Sequence, residues 1–495
     1  MVGKRVAVVV GGSVAGLACA HAVAEAGWEA VVVEKAAAPG AGSGTGAGLG
    51  LDAQSMEALA RWIPGRLDAA TLPLAVDLNR ATDGETKAGR TLTRDEGFGF
   101  RAAHWGDLHR RLHEALPAGV TVLWGHQFVS FETAPEDGDG DGEGGVVVTA
   151  RVLRTGETVE VAGDLLVAAD GCTSAIRRRF LPELKLSHEH DKPQAKLFGF
   201  HVSEEETVDQ HEHEQEAGAV LGSARVVKRQ YSAEPENVPG CSNGCGGRRG
   251  GARYSGYCAW RGVFDFTGKE GCTTMVDIRR AYPELGNCLY FDLAHKTHAV
   301  LYELPKNRLN WLWYINGDEP ELTGSSVTMK VSEATVSEMK EEAERVWCPE
   351  LARLISETAE PFVNVIYDAE PLPRLSWCGG RVALVGDAAH PTTPHGLRST
   401  NMSIVDARVL GCCLARRGDA ETTPRRALAE YEAARRPVVA AQVLHARRLG
   451  RLKQGLGMGS AGDGEGFDAR TATEEEISQL RQSSMPYFSG APTTE

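Results

Sequence analysis

From Arg5 to Val10 the chain reads RVAVVV, an apolar β-branched run with no polar alternation, which predicts a short strand buried on both faces. It passes through Gly11-Gly12-Ser13-Val14-Ala15-Gly16 into the alanine-rich LACAHAVAEAG, which predicts a helix stopping at Gly27. A second apolar run, Glu29 to Val33, ends in Glu34. The order is strand, tight turn, helix, strand, acid.

The pattern changes along the rest of the chain. A glycine-rich stretch after Glu34 leads into a helix predicted over Ala53 to Trp62, and Leu72 to Phe100 read as extended strands turning at Asp83-Gly84 and Glu96-Gly97. Phe100 to Leu116 predict an extended entry and an amphipathic helix with Leu108, Leu112 and Leu116 on one face. Strands follow from Thr121 to Leu166, and another spans Asp164 to Ala169 and runs into Asp170-Gly171. Aromatic strands are predicted at Arg253 to Phe266, Cys288 to Asp292, His298 to Leu304 and Leu309 to Ile315, then a polar helical region over residues 333–358 broken near Cys348-Pro349. Arg381 to Val385 form one more buried strand, ending in Gly386-Asp387. The helix after it is expected to start near Thr400-Asn401, capped by Ser399 or Thr400, with Met402, Val405, Val409 and Cys412 on its apolar face. Arginine-rich helices over Tyr431 to Gln454 precede a tail, 457–495, that reads as loosely held.

A strand feeding a helix through glycines aims unpaired backbone N–H groups and a positive helix end at one spot, which suits a pyrophosphate. Gly11 allows the turn, Ser13 stands where a second glycine is usual, and Gly16 permits close helix–strand approach. Glu34 lies 23 residues beyond Gly11, about where a carboxylate would hold a ribose hydroxyl. The alternative is a Rossmann-type core without a nucleotide.

Length and charge narrow the classes. At 495 residues with 42% hydrophobic content the chain is globular with room for more than one domain, and its net charge of −14 argues against nucleic-acid binding as its main role. A strand beginning at Arg5 predicts no leader peptide, and no apolar run is long enough to cross a membrane. Peripheral membrane contact through the arginine-rich helices is the lesser reading beside a solvated face. Eleven cysteines, an odd number, read as reduced thiols in the cytoplasm or another reducing compartment.

Two segments invite metal readings and fail them. Asp137, Asp139, Asp141 and Gly142 imitate a calcium loop whose twelfth position holds Val148, and His188, His190, His211 and His213 lack helical metal-ligand spacing. No metal is expected; residues 186–250 read as an acidic, glycine-rich insertion. Trp311-x-Trp313-x-Ile315 imitates the tryptophan motif of flavin-dependent halogenases, with Asn316 in place of its proline, and also suits an ordinary strand.

Three stretches in order, GGSVAG with Glu34, AADGCTSAIR, and GDAAHPTTPHGLRSTN, resemble the class A flavoprotein monooxygenases, the single-component FAD enzymes typified by p-hydroxybenzoate hydroxylase, salicylate hydroxylase and zeaxanthin epoxidase. The resemblance covers about residues 4–185 and 250–455, and YSGYCAWRGV is similar to a substrate-domain strand of that family. It implies an α/β fold: a Rossmann-like FAD-binding domain from 1–75, 100–185 and 376–455, a sheet-containing substrate domain from 76–99 and 186–375, C-terminal helices, and a tail over 456–495. At the first turn it implies FAD contacts from Gly11, Ser13, Val14, Ala15, Gly16, Glu34 and Lys35. Gly48 would pass near the flavin ring and Arg101 could reach a phosphate, although a solvated arginine reads as well. Asp170 and Gly171 would lie near the pyrophosphate, with Gly386 and Asp387 at the ribityl chain. Pro394, Gly396, Ser399, Thr400 and Asn401 would contact the cofactor, with the Leu397 to Asn401 backbone bordering the pyrimidine edge, where the helix start suits an anionic reduced flavin. Two departures stand out: Ala168 and Ser399 replace usual glycines.

The implied activity is an NAD(P)H-consuming hydroxylation or epoxidation of an aromatic or polyprenyl-type substrate by dioxygen through a flavin C4a-hydroperoxide. NADH or NADPH would bind transiently, since no second glycine turn accompanies another βαβ unit. Tyr257 and Trp260 are candidates to line the substrate pocket or to serve the core. His390 and His395 are weak candidates for proton transfer, because the cofactor carries the chemistry. The rivals are a halogenase or reductase on the same scaffold, and an FAD-binding regulatory protein without turnover.

Overall fold

The computed structural model describes residues 4–40, 47–65, 67–133, 145–181, 226–229, 251–322, 326–415, 423–457 and 466–488. The first apolar run is β1 (Val6–Val10), its last four residues buried, followed by α1 (Val14–Glu25) and β2 (Glu29–Val33). Next come β3 (Gly48–Leu51), α2 (Ala53–Trp62), β4 (Leu72–Thr82), β5 (Gly89–His104) and α3 (Trp105–Glu114). The strand-rich stretch resolves into β6 (Val120–Leu123), β7 (His126–Thr133), β8 (Val146–Val152), β9 (Thr158–Gly163) and β10 (Leu165–Ala168), then α4 (Ala175–Phe180). Of the acidic insertion only β11 (Val226–Arg229) is described; the calcium-like loop and the histidine cluster lie outside the described residues.

The second half opens with β12 (Ala252–Asp265), α5 (Thr273–Ala281), β13 (Cys288–Ala294), β14 (Thr297–Leu304) and β15 (Arg308–Asn316). It continues through β16 (Thr328–Met329), α6 (Glu333–Val346), α7 (Pro349–Glu357), β17 (Phe362–Ala369), β18 (Ser376–Trp377) and β19 (Val382–Leu384). The break between α6 and α7 falls at Cys348, with Pro349 at the first helical position, where its missing N–H costs nothing. Helices α8 (Arg398–Ala415), α9 (Pro424–Lys453) and α10 (Glu474–Ser478) complete the chain.

These elements make an α/β fold on three sheets. The six-stranded sheet runs β18-β19-β10-β1-β2-β6, parallel except for β18. From β1 the chain winds outward through β2 on one side and later through β10 and β19 on the other, so a crevice opens beyond the carboxyl ends of β1 and β10. The nine-stranded sheet runs β16-β17-β12-β15-β14-β13-β4-β5-β3, antiparallel apart from the β13/β4 pair. A four-stranded sheet, β11-β9-β8-β7, flanks the first. The divisions expected after residues 75 and 99 fall inside β4 and β5, and β3 pairs with β5 in the larger sheet. Hydropathy marks a strand but not the sheet it joins.

The period of two on β12 sorts its side chains between two cores. Cys258 and Trp260 pack with α5, α6 and α7; Tyr257 and Ala259 face the opposite core, which includes Leu452 of α9 and Leu480 of the C-terminal segment. Trp311, Trp313 and Ile315 lie in the same core as Trp260, with both indoles donating 2.8 Å hydrogen bonds, to Thr358 and Thr297. That is an ordinary buried strand, and it leaves the halogenase resemblance without a site.

Three local expectations are corrected. Helix α8 begins at Arg398, ahead of Thr400, so Ser399 and Thr400 stand inside its first turn rather than capping it. Cys412 is exposed and Cys413 is buried, because the 3.6-residue period shifts the inward position by one over three turns. Residues 466–488 of the C-terminal segment are docked, not loose: Leu480 and Gln482 are fully buried and Phe488 packs against Phe98 and Phe100. Its polar composition hid a few well-spaced anchors. Among the described residues no helix is long and apolar enough to cross a membrane, and the cysteines are free thiols.

Candidate cofactor and substrate site

The glycine turn is shaped by backbone contacts that leave no room for side chains. Gly11 has φ +107°, and a Cβ there would sit 2.3 Å from the Ala169 carbonyl oxygen, just before Asp170. A Cβ on Gly16 would lie 1.8 Å from the Gly11 carbonyl oxygen. Ser13 occupies the N-cap of α1 but its side chain makes no capping bond, so the helix end is not closed by its own hydroxyl. Val14 is buried and Ala15 half-buried behind it. Glu34 accepts from Gly12 N at 2.5 Å and from Ala36 N at 2.8 Å, so a ribose would share a carboxylate that already braces the turn; Lys35 is exposed beside it. His109 of α3 bonds the Gly12 carbonyl through Nε2 at 2.9 Å, a support that no local motif announced.

Asp170 caps α4. It accepts from Ser174 Oγ at 2.6 Å and from the backbone N–H groups of Ala175 and Ile176 at 2.7 and 3.2 Å, and Gly171 follows it with φ +79°. Burial pushes its carboxyl upward, against the pull of these donors. Arg177, three residues into α4 and fully buried, reaches across the sheet to the carbonyls of Asp387 at 2.9 Å and Ala388 at 2.7 Å, and also to that of Cys172. One guanidinium thus ties the turn after β10 to the turn after β19. Arg177→Met should leave those carbonyls without this donor and cost about 1–3 kcal/mol for each that stays buried and unsatisfied; a thermal-melt midpoint equal to the parent's would count against this bracing role.

The third turn meets the first. A Cβ on Gly386, at φ +55°, would touch Ser403 Oγ at 2.8 Å and Ala15 Cβ at 3.0 Å, so β19 delivers Asp387 beside the start of α1. Asp387 accepts from Ser399 Oγ at 2.7 Å; burial raises its pKa, and Ser399 and His390 oppose the rise. His390 is not placed for proton transfer to a ligand through Nε2, which is spent on Asp406 at 2.5 Å. Asp406 also accepts from Arg435 Nε at 2.8 Å and Gly386 N at 3.0 Å, all three side chains being buried.

Ahead of α8, Pro394 is half-buried, and Gly396 (φ +80°) and Leu397 (φ +56°) take left-handed conformations, the latter unusual for a branched side chain. Asn401 binds this loop to β3: Oδ1 accepts from Asp52 N at 2.9 Å, and Nδ2 donates to the carbonyls of Gly50 and Leu397 at 2.8 and 2.5 Å. Its side chain is therefore spent, and any ligand contact there falls to backbone. Thr400 is half-buried in the same turn. Gly48 donates from N to Asn310 Oδ1 at 2.7 Å, with Tyr302 Oη where its Cβ would be. Arg101 is tied to the turn after α2: Nε donates to Thr71 Oγ1 at 2.6 Å and Nη2 to the carbonyls of Asp68 and Thr71 at 3.3 Å.

His395 and Tyr257 come together on the sheet face toward this loop, their rings 5.7 Å apart. Trp260 does not join them, for it points to the opposite core; as a pocket candidate it is corrected. Among the described residues no group of histidine, cysteine, aspartate and glutamate is arranged to hold a metal. The first and third turns thus form one cradle that side chains larger than glycine would fill, with a buried carboxylate at its far end. Those features fit a long dinucleotide such as FAD.

Comparison with known proteins agrees. A family described as FAD binding domain matches residues 4–225 and 330–446. The chain is 25% identical over 328 residues to 6-hydroxynicotinate 3-monooxygenase of Pseudomonas fluorescens, a match covering 65% of this chain and 58% of that protein. It is 25% identical over 437 residues to a 3-amino-4-hydroxybenzoate 2-monooxygenase of Streptomyces platensis, covering 87% and 84%. Among solved structures, 2,6-dihydroxypyridine-3-hydroxylase from Arthrobacter nicotinovorans superposes with a TM-score of 0.63 at 19% identity, over 94% of this chain and 97% of that one. A salicylate hydroxylase substrate complex gives 0.60 at 17% identity, over 98% of each. The chain belongs to the FAD binding domain family, within the class A FAD-dependent monooxygenases, and FAD is its cofactor.

Proposed function

We propose that the protein is a monooxygenase that consumes NADH or NADPH and dioxygen and places one oxygen atom on a small aromatic or polyprenyl-type organic molecule. The observation that carries this reading is the meeting of the His395–Leu397 loop with a tyrosine-lined face of the nine-stranded sheet, beside the cofactor cradle. The six-stranded sheet serves as the cofactor half and the nine-stranded sheet as the substrate half. Bound FAD would supply the electron transfer and oxygen activation that side chains cannot.

The chain's residues bind, orient and exclude water. Backbone N–H groups at the start of α1 would receive the pyrophosphate of bound FAD, and Asp387 would accept from a hydroxyl of its chain. The first turn of α8 offers its positive end to developing negative charge. Tyr257, Tyr302 and Tyr314, all buried, close the floor of this face to water, which would limit unproductive loss of the oxygen that bound FAD activates.

The test is to reconstitute the protein with FAD and to screen aromatic and prenylated compounds for accelerated NAD(P)H oxidation, with mass spectrometry for a product one oxygen atom heavier. Reduction and reoxidation without product across the panel would favour an FAD-binding protein without turnover, and a chloride-dependent product would favour a halogenase.

A further inference from the structure

Asn316, at the end of β15, donates from Nδ2 to two backbone carbonyls, those of Lys296 at 3.1 Å and Gln454 at 3.0 Å. Carbonyls only accept, so this end of the amide is nitrogen and Oδ1 is left as an acceptor. Oδ1 takes a 2.8 Å bond from Gln454 Nε2, which turns Gln454 Oε1 toward His298 Nδ1, also at 2.8 Å. An amide oxygen has no hydrogen to give; Nδ1 of His298 must carry one.

His298 is fully buried, and burial, reinforced by Lys453, pushes its pKa down to about 3. At neutral pH the ring therefore has a single hydrogen and a bare Nε2. That nitrogen lies 3.3 Å from Nε2 of His395, so His395 is the donor between them. Burial first, then His298 and Lys453, hold the pKa of His395 well below the ordinary value, so it too is neutral. Its one hydrogen is on Nε2, and its Nδ1 is an acceptor. The other titratable groups around the two rings are Tyr314, stacked on His298 at 4.4 Å, Tyr257 on β12, and Asp77 of β4, which interacts with Lys453.

Thr393 Oγ1 interacts with Tyr257 Oη, but His395 Nδ1 and Tyr257 Oη have no hydrogen-bond partner of good geometry among the described residues, although both are buried. They border the same point: a Cβ on Gly450 of α9 would lie 2.4 Å from Oη and 2.7 Å from Nδ1. A bare acceptor and a hydroxyl left unsatisfied side by side call for a third group.

We propose that Asn316, Gln454 and His298 are positioning residues that lock His395 in its Nε2–H tautomer, so that His395 Nδ1 and Tyr257 Oη together receive a hydroxyl group of a bound ligand beside Gly450. The hydroxyl donates to Nδ1 and accepts from Oη. That the ligand is the substrate rests on the monooxygenase reading; the tautomer does not.

Nitrogen-15 NMR of the FAD-loaded protein with labelled histidine tests the lock without turnover, the two rings being assigned through His298→Gln and His395→Gln. Single tautomers are expected, Nδ1–H for His298 and Nε2–H for His395. Gln454→Met, which removes the oriented oxygen, should mix both tautomers and raise KM for a hydroxylated substrate about tenfold, the scale of one lost hydrogen bond. Gln454→Glu, which keeps an oxygen toward Nδ1, should restore the His298 tautomer. A His395 ring carrying its hydrogen on Nδ1, or charged at neutral pH, in the unaltered protein overturns the proposal whether or not any variant folds. A protein that shows the expected tautomers but forms no product would instead count against the monooxygenase reading.

Discussion

Gly16→Ala is expected to cost the protein its FAD, with affinity falling on the order of a hundredfold, the upper range of what forced overpacking costs. The reason is that the added carbon would stand 1.8 Å from the Gly11 carbonyl oxygen and 2.9 Å from its carbon. Both are backbone atoms and cannot rotate aside. Gly11 cannot retreat either, because its N–H is bonded to Val33 at 2.9 Å and it already abuts Ala169. The start of α1 must therefore move away from the turn, which opens the spot where its N–H groups converge. Flavin fluorescence titration of the purified variant measures this; an affinity within twofold of the parent's would mean that close helix–strand approach is not what shapes the cradle.

The second large effect is expected at Asp406. Its carboxylate receives Arg435, His390 and the Gly386 N–H in a site closed to solvent, so Asp406→Ala leaves a buried guanidinium without its charge partner. Breaking a buried pair from one side costs about 3–5 kcal/mol, which urea denaturation would read directly. Loss of bound flavin should accompany it, since Gly386 and Asp387 lose their anchor. The same carboxylate gives a pH dependence. Burial alone would raise its pKa, but His390 and Arg435 bring it down to about 2. A carboxylate whose folded pKa is depressed adds stability above its ordinary value near 4, and that contribution disappears as pH falls through about 2. An acid-unfolding profile identical in Asp406→Asn and the parent would refute this assignment.

Much of the cofactor half was legible because its signals are local. β1, the turn, α1 and β2 are set by glycines and an apolar run within one stretch, and the two later turns end buried strands in the same way. What escaped was every contact made at a distance. Arg177 reads as one of three arginines in a row, and only the pairing of β10 with β19 brings it to Asp387 and Ala388. Asp406 and Arg435 stand on different helices with nothing in either segment to mark them as partners. Pocket and core readings stay open together for Tyr257 and Trp260 because a strand's alternation separates two faces without saying which one meets the cofactor loop. The docked C-terminal segment was missed because hydropathy averaged over a polar stretch conceals Leu480 and Met485.

The placement of β19 also bears on how the protein is made. β10 acquires its outer neighbour only from a strand encoded after β12–β17, so during synthesis the central sheet presents an unpaired edge until β19 has emerged. Closing so long a loop is slow, and exposed edges recruit other chains. The cradle that joins the first and third turns therefore cannot close around a flavin before Asp387 has been made.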